Sequence, residues 1–146
     1  MEEGSIVRVF RDFITFNEGE LSVMKDDILQ ILQIIDLYWV KCQNSQNIGN
    51  VPRSHICPID NLPIPIQKGH VLLVAEYDFN SGTEGDLSIQ KGDIIIGHDM
   101  IDHDWTKGCD LQGHVGIFPT SFCWTPDADL LSKIGSNVSI TSTLLI

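Results

Sequence analysis

Ala75-Glu76-Tyr77-Asp78-Phe79, followed by Glu84-Gly85-Asp86-Leu87-Ser88-Ile89-Gln90-Lys91-Gly92-Asp93, is the stretch whose reading decides the fold, because much of it occurs twice. Sixty-six residues earlier the chain reads Val9-Phe10-Arg11-Asp12-Phe13 and then Glu18-Gly19-Glu20-Leu21-Ser22-Val23-Met24-Lys25-Asp26-Asp27. Residues 7–41 align with residues 73–107 without a gap, and 13 of the 35 positions are identical, against roughly two for unrelated stretches. The identities include Asp12/Asp78, Phe13/Phe79, Asp27/Asp93, Asp36/Asp102 and Trp39/Trp105. One inserted residue then shifts the pairing, so that Gly49 matches Gly116, Pro52 matches Pro119 and Ser54 matches Ser121. The period is too long for a solenoid and fits one small unit of about 55–60 residues present in two copies.

Each copy reads as all-β. Short Val- and Ile-rich stretches (Val7–Phe10, Ile28–Ile35, Leu72–Ala75, Ile94–Ile96) are separated by polar loops that carry glycine. The run Ile28–Ile35, I-L-Q-I-L-Q-I-I, has spacing that also suits a helix. Its counterpart, Ile94-Ile95-Ile96-Gly97-His98-Asp99-Met100-Ile101, has Gly and Asp in mid-run, so both are assigned as strands. Units of this size bury a limited core, and their strands are expected to close into a compact barrel that hides its edges. The expected division is residues 4–60, a proline-containing linker 61–69, residues 70–127, and a tail 128–146. Within that tail Asp127 is placed to cap a helical turn over Ala128–Ile134, and the remainder is expected to be disordered.

Composition narrows the function. The 146 residues hold 20 acids and 9 bases, a net charge of −11, which argues against nucleic acid or an anionic membrane as partner. Residues 1–69 carry nine acids and six bases, residues 70–146 eleven and three, so the excess lies in the second half. No apolar run approaches a membrane span of about 18 residues, and the acidic start Met1-Glu2-Glu3 is unlike a signal peptide. Cys42, Cys57, Cys109 and Cys123 form no CxxC pair and fall at unequal places in the two copies, so they are read as reduced thiols of a cytoplasmic protein.

The matched positions resemble the Src-homology-3 (SH3) domain in both copies, which implies two small five-stranded SH3-like barrels in tandem. In the second copy Ala75–Phe79 resembles the family's ALYDY strand and Glu84–Ser88 the acidic end of its long first loop. Lys91–Asp93 resembles its diverging turn, Trp105 its binding tryptophan, and Gly116-Ile117-Phe118-Pro119-Thr120-Ser121-Phe122 its closing motif. The first copy is a weaker match. The N-terminal run Met1–Arg8, leading into two such units, is similar to the start of Tuba-type multi-SH3 scaffolds of the dynamin-binding kind. The resemblance implies a non-enzymatic, monomeric adaptor that binds proline-rich segments, because paired aromatic faces accept the rigid ridges of a polyproline II helix at low entropic cost. It further implies no cofactor, partners among endocytic or actin-regulatory proteins, and recruitment to the cell cortex, junctions or cytoskeleton.

In the second copy the implied groove is lined by Tyr77, Phe79, Trp105, Pro119 and Phe122. Glu84, Asp86, Asp102 and Asp104 stand ready to pair with a basic residue flanking the prolines. In the first copy the corresponding residues are Arg11, Phe13, Glu18, Glu20, Trp39, Pro52 and His55. Arg11 and His55 replace aromatic platforms, so that groove is expected to be weak, atypical or structural. Two other readings exist. The copies could form an autoregulatory pair with occluded grooves, or the run from His98 to Asp104 could supply a metal-dependent hydrolase through His98, Asp102 and His103. Against the second, that run lies in a loop between strands, and no other metal-ligand spacing, phosphate loop or nucleophile elbow is present.

Overall fold

A computed structural model describes residues 1–134. The chain divides into two compact units, one made of Met1–Pro65 together with the segment that starts at Asp127, the other of Ile66–Pro126. In the first unit β1 (Ile6–Val9), β2 (Ile28–Ile34), β3 (Trp39–Asn44), β4 (Asn47–Pro52) and β5 (Ile56–Pro58) form one sheet, ordered β4-β3-β2-β1-β5. In the second, β6 (Val71–Ala75), β7 (Ile94–Met100), β8 (Trp105–Asp110), β9 (Val115–Pro119) and β10 (Cys123–Trp124) give the same arrangement, ordered β10-β6-β7-β8-β9. Every strand pairing is antiparallel. A short 3-10 turn precedes the last strand of each sheet, at Arg53–His55 and Thr120–Phe122.

The repeat extends to irregular features. A bulge interrupts β2 between Ile31 and Gln33, and another interrupts β7 between Gly97 and Asp99, at the same aligned positions. The long loop after the first strand is closed by the bridges Phe13–Val23 and Phe79–Ile89, and tied to the sheet by Glu20–Asn50 and Asp86–Ile117. The shared aspartates hold turns. Asp12 Oδ1 accepts the Lys25 N–H at 2.6 Å and Asp78 Oδ1 the Lys91 N–H at 2.7 Å. Asp27 and Asp93 accept the N–H groups of Met24 and Gln90 in the diverging turns. The repeated glycine has a steric reason: a Cβ on Gly116 would lie 2.6 Å from the Leu87 nitrogen, and one on Gly49 2.9 Å from that of Leu21.

Alternating inward residues build each core. In the first unit Val7, Val9, Val23, Leu29, Ile31, Val40, Cys42, Val51 and Ile56 cluster. In the second Leu73, Ala75, Leu87, Ile89, Ile95 and Phe118 do so. Where the first unit places Ile31, Val40 and Cys42, the second has Gly97, Thr106 and Gly108, and it sets the fully buried Phe118 in place of Val51. Interiors must be filled to near-crystalline density, so one bulky ring stands in for several smaller side chains.

The Ile28–Ile35 run is a strand, and its helix-like spacing has a physical origin. Ile28, Leu29, Gln30 and Ile31 are all buried, so β2 is covered on both faces and reads as a nearly continuous apolar run. Part of that cover comes from beyond the second unit. Residues 128–134 are helical (α1), capped by Asp127, whose Oδ1 accepts the Leu130 N–H at 3.1 Å. The buried Gln30 amide grips the start of α1. Its Nε2 donates to the Asp127 carbonyl at 3.0 Å and its Oε1 accepts the Asp127 N–H at 2.6 Å. Nε2 also donates to the Gly4 carbonyl at 3.2 Å, and a Cβ on Gly4 would collide with the Leu130 carbonyl. The capped helical turn expected over 128–134 is present, and the Gln30 clasp and burial of Leu131 join it to the first unit. Residues 135–146 lie outside the described residues.

Candidate peptide-binding groove

In the second unit the long loop, the β7–β8 turn and the 3-10 turn converge on one aromatic cluster. Tyr77 meets Phe122 edge-on with centroids 5.6 Å apart, Phe122 meets Phe79 at 6.1 Å, and Phe79 meets Trp105 at 5.7 Å. Pairing fixes these rings: the Glu76 N–H bonds to the Phe122 carbonyl at 2.7 Å, and Trp105 lies opposite Pro119. Tyr77 is 58% exposed, whereas Phe79 and Phe122 rest one edge on the core. Trp105 and Pro119 are half-buried. Edge-to-face rings standing on a packed base present rigid slots rather than a collapsed interior.

The acids differ in how free they are. Glu84, Asp102 and Asp104 are exposed and Asp86 half-buried. Asp86 accepts the Ser81 hydroxyl at 2.6 Å. Asp102 Oδ1 accepts the N–H groups of Asp104 and Trp105 at 2.8 and 2.9 Å, a side-chain-closed turn that aims the tryptophan. In the first unit Asp36 does the same for Tyr38 and Trp39. Sequence reasoning grouped Asp102 with the ligand-facing acids; the geometry gives it a positioning task as well. Glu84 and Asp104 have no side-chain hydrogen bond among the described residues.

In the first unit Phe13 meets Trp39 at 6.0 Å and His55 at 5.7 Å, both edge-on, with Pro52 opposite Trp39 in the ladder. Arg11 lies over the Phe10 ring, its guanidinium carbon 5.1 Å from the centroid. Glu18 is exposed, while Glu20 Oε1 accepts the Thr15 hydroxyl at 2.6 Å and Asn17 Nδ2 at 3.2 Å. Three features here escaped the sequence reading. Leu37 and Tyr38, next to Trp39, are 79% and 73% exposed, and Arg53 joins them in lining a pocket of about 520 Å³. The signal was available, since Leu37, Tyr38 and Arg53 align with polar His103, Asp104 and Thr120.

The hydrolase residues are not gathered. His98 Nε2 lies 3.4 Å from Cys109 Sγ and its ring stacks on His70 at 4.6 Å, while His114 pairs with Asp110 at 2.9 Å. Burial alone would raise the Asp110 carboxyl, but hydrogen bonds from the ring and backbone of His114 and from Gln112 hold it below its ordinary value. Among the described residues no three His, Cys, Asp or Glu side chains are placed to share a metal ion. All four cysteines are free thiols. Burial pushes the Cys42 thiol up to about 12, and burial with the neighbouring Glu76 does the same for Cys123.

A five-stranded antiparallel sheet curled on a small core, with an aromatic slot between two loops, defines the class of small β-barrel interaction modules. Residues 74–120 match the SH3 domain family, and the second unit is an SH3 domain. Among curated relatives, dynamin-binding protein of Rattus norvegicus is 30% identical over 83% of this chain and 8% of its own length. Sorbin and SH3 domain-containing protein 2 of Rattus norvegicus is 34% identical over 76% of this chain and 10% of its own. SH3 domain-containing protein 19 of Homo sapiens is 30% identical over 76% and 16%. The chain thus spans a small fraction of these relatives. The C-terminal SH3 domain of myosin IB from Entamoeba histolytica aligns in structure with 40% of this chain and 98% of its own, at a TM-score of 0.37 and 25% identity.

Proposed function

We propose that the chain is a non-enzymatic adaptor whose second unit binds proline-rich segments flanked by Arg or Lys, and whose first unit is a second SH3 domain of altered preference. The observation that carries this is the ring cluster of Tyr77, Phe79, Trp105 and Phe122, standing half-exposed on the core beside Pro119. Such slots take the rigid prolines of a polyproline II helix, and the uncommitted carboxylates of Glu84 and Asp104 draw the flanking cation and set peptide direction. The name of the dynamin-binding relatives supports endocytic partners, and cytoskeletal partners and a cytoplasmic setting belong to the same proposal. The test is titration of the full chain with a PxxP peptide flanked by Arg. Trp105→Ala is expected to weaken binding by about 2 kcal/mol, roughly 30-fold. Unchanged affinity rejects the groove.

A further inference from the structure

The two grooves differ most at their loop tips. Where the second unit has Gly82, His103 and Asp104, the first has Phe16, Leu37 and Tyr38, exposed by 100%, 79% and 73%. Where the second has neutral Thr120, the first has Arg53. Leu37, Tyr38, Trp39 and Pro52 wall the pocket of about 520 Å³ that Arg53 also lines. The guanidinium is held in place but not neutralised: Nη1 donates to the Asp36 carbonyl at 3.3 Å. The one ion pair among the described residues joins His114 to Asp110, so none of them offers Arg53 a carboxylate within ion-pair distance. Asp36 Oδ1 accepts the Tyr38 and Trp39 N–H groups and Glu20 Oε1 accepts from Thr15 and Asn17, while exposed Glu18 has no side-chain hydrogen bond among the described residues.

A guanidinium with no carboxylate within ion-pair distance among the described residues, set beside exposed apolar side chains, favours a carboxylate next to a large apolar residue over a flanking Arg. The guanidinium fork matches a carboxylate with two parallel hydrogen bonds, and the exposed Leu37 and Tyr38 side chains offer apolar contact beside it. We propose that the first unit's groove binds a proline-containing segment in which a large apolar residue adjoins Asp or Glu, the opposite flanking charge to the ligand of the second groove. This rests on reading the first unit as a peptide groove, and it gives one chain two grooves of opposite charge selectivity, suited to two different segments.

The experiment uses the full chain carrying Trp105→Ala, which weakens the second groove roughly 30-fold. Three labelled peptides share one proline frame and differ only in a flanking Leu-Glu, Leu-Gln or Leu-Arg, and binding is read by fluorescence anisotropy. The expected result is at least about tenfold tighter binding of the Glu peptide than of the Arg peptide, falling as salt is raised. Arg53→Gln, which keeps a side-chain donor for the Asp36 carbonyl, is expected to erase the preference, and Arg53→Glu to reverse it. An Arg peptide that binds as well as the Glu peptide, or a preference unmoved by Arg53→Gln, overturns the charge assignment and leaves the peptide-groove reading standing. Failure of all three peptides to bind rejects that reading of the first unit together with the inference.

Discussion

Replacing Gln30 by Ala tests whether the helix after the second unit is a working part of the first. The Gln30 side chain is fully buried, and its amide makes three hydrogen bonds, to the Gly4 carbonyl at 3.2 Å, the Asp127 carbonyl at 3.0 Å and the Asp127 N–H at 2.6 Å. Truncation strands the Gly4 carbonyl in the interior, at a cost of about 1–3 kcal/mol for an unsatisfied buried polar group. Exposed Asp127 can turn to water, so its loss is smaller, and about 2–3 kcal/mol is expected in total. With a urea slope near 1.5 kcal/mol per molar, the unfolding midpoint of the first unit should fall by roughly 1.3–2 M. The assay is urea unfolding followed by Trp39 fluorescence, with Trp105 and Trp124 replaced by Phe so that the signal comes from this unit. The same substitution in a chain ending at Pro126 should cost less than about 1 kcal/mol, because Gln30 there faces water, and the difference measures the coupling to α1. A loss below about 0.5 kcal/mol in the full chain, or an equal loss in both chains, refutes the clasp.

Asp102→Ala and Asp104→Ala should separate positioning from recognition. The first removes the acceptor of two N–H groups and is expected to lower the melting stability of the second unit by about 1 kcal/mol. The second should leave stability unchanged and weaken an Arg-flanked peptide severalfold, an effect that fades in high salt and is read by titration at two ionic strengths. Cys42 gives a pH prediction. Its folded value near 12 lies above the ordinary thiol value of 9.0. Above pH 9 the unfolded chain therefore loses a proton that the native state keeps, and stability falls as pH rises towards 12. Cys42→Ala should flatten that alkaline decline in unfolding experiments between pH 8 and 11, and an unaltered slope would refute the assignment.

The repeat made the fold legible, because a strand and a helix can share one apolar spacing but two aligned copies must share one backbone. The ambiguous Ile28–Ile35 run was decided by Gly97 and Asp99 in its counterpart, and β2 and β7 indeed pair and bulge alike. The ring residues of the second groove came from the resemblance of their motifs to the SH3 family, and the fold brings Tyr77, Phe79, Trp105 and Phe122 into one cluster.

What pairwise alignment could not rank was the duty of each acid. Asp36 and Asp102 recur because each closes the turn that aims a tryptophan, and recurrence alone does not separate that task from ligand contact. The chain of residues by itself determined that there are two copies, that each is built of strands, and that Phe, Trp and Pro recur at Phe13/Phe79, Trp39/Trp105 and Pro52/Pro119, because these depend on local pattern and spacing. Only the tertiary structure decided that Gln30 reaches Asp127 across 97 positions, and that Leu37, Tyr38 and Arg53 meet in one pocket. Both depend on which distant backbone a folded sheet presents to a side chain, and no local periodicity encodes that.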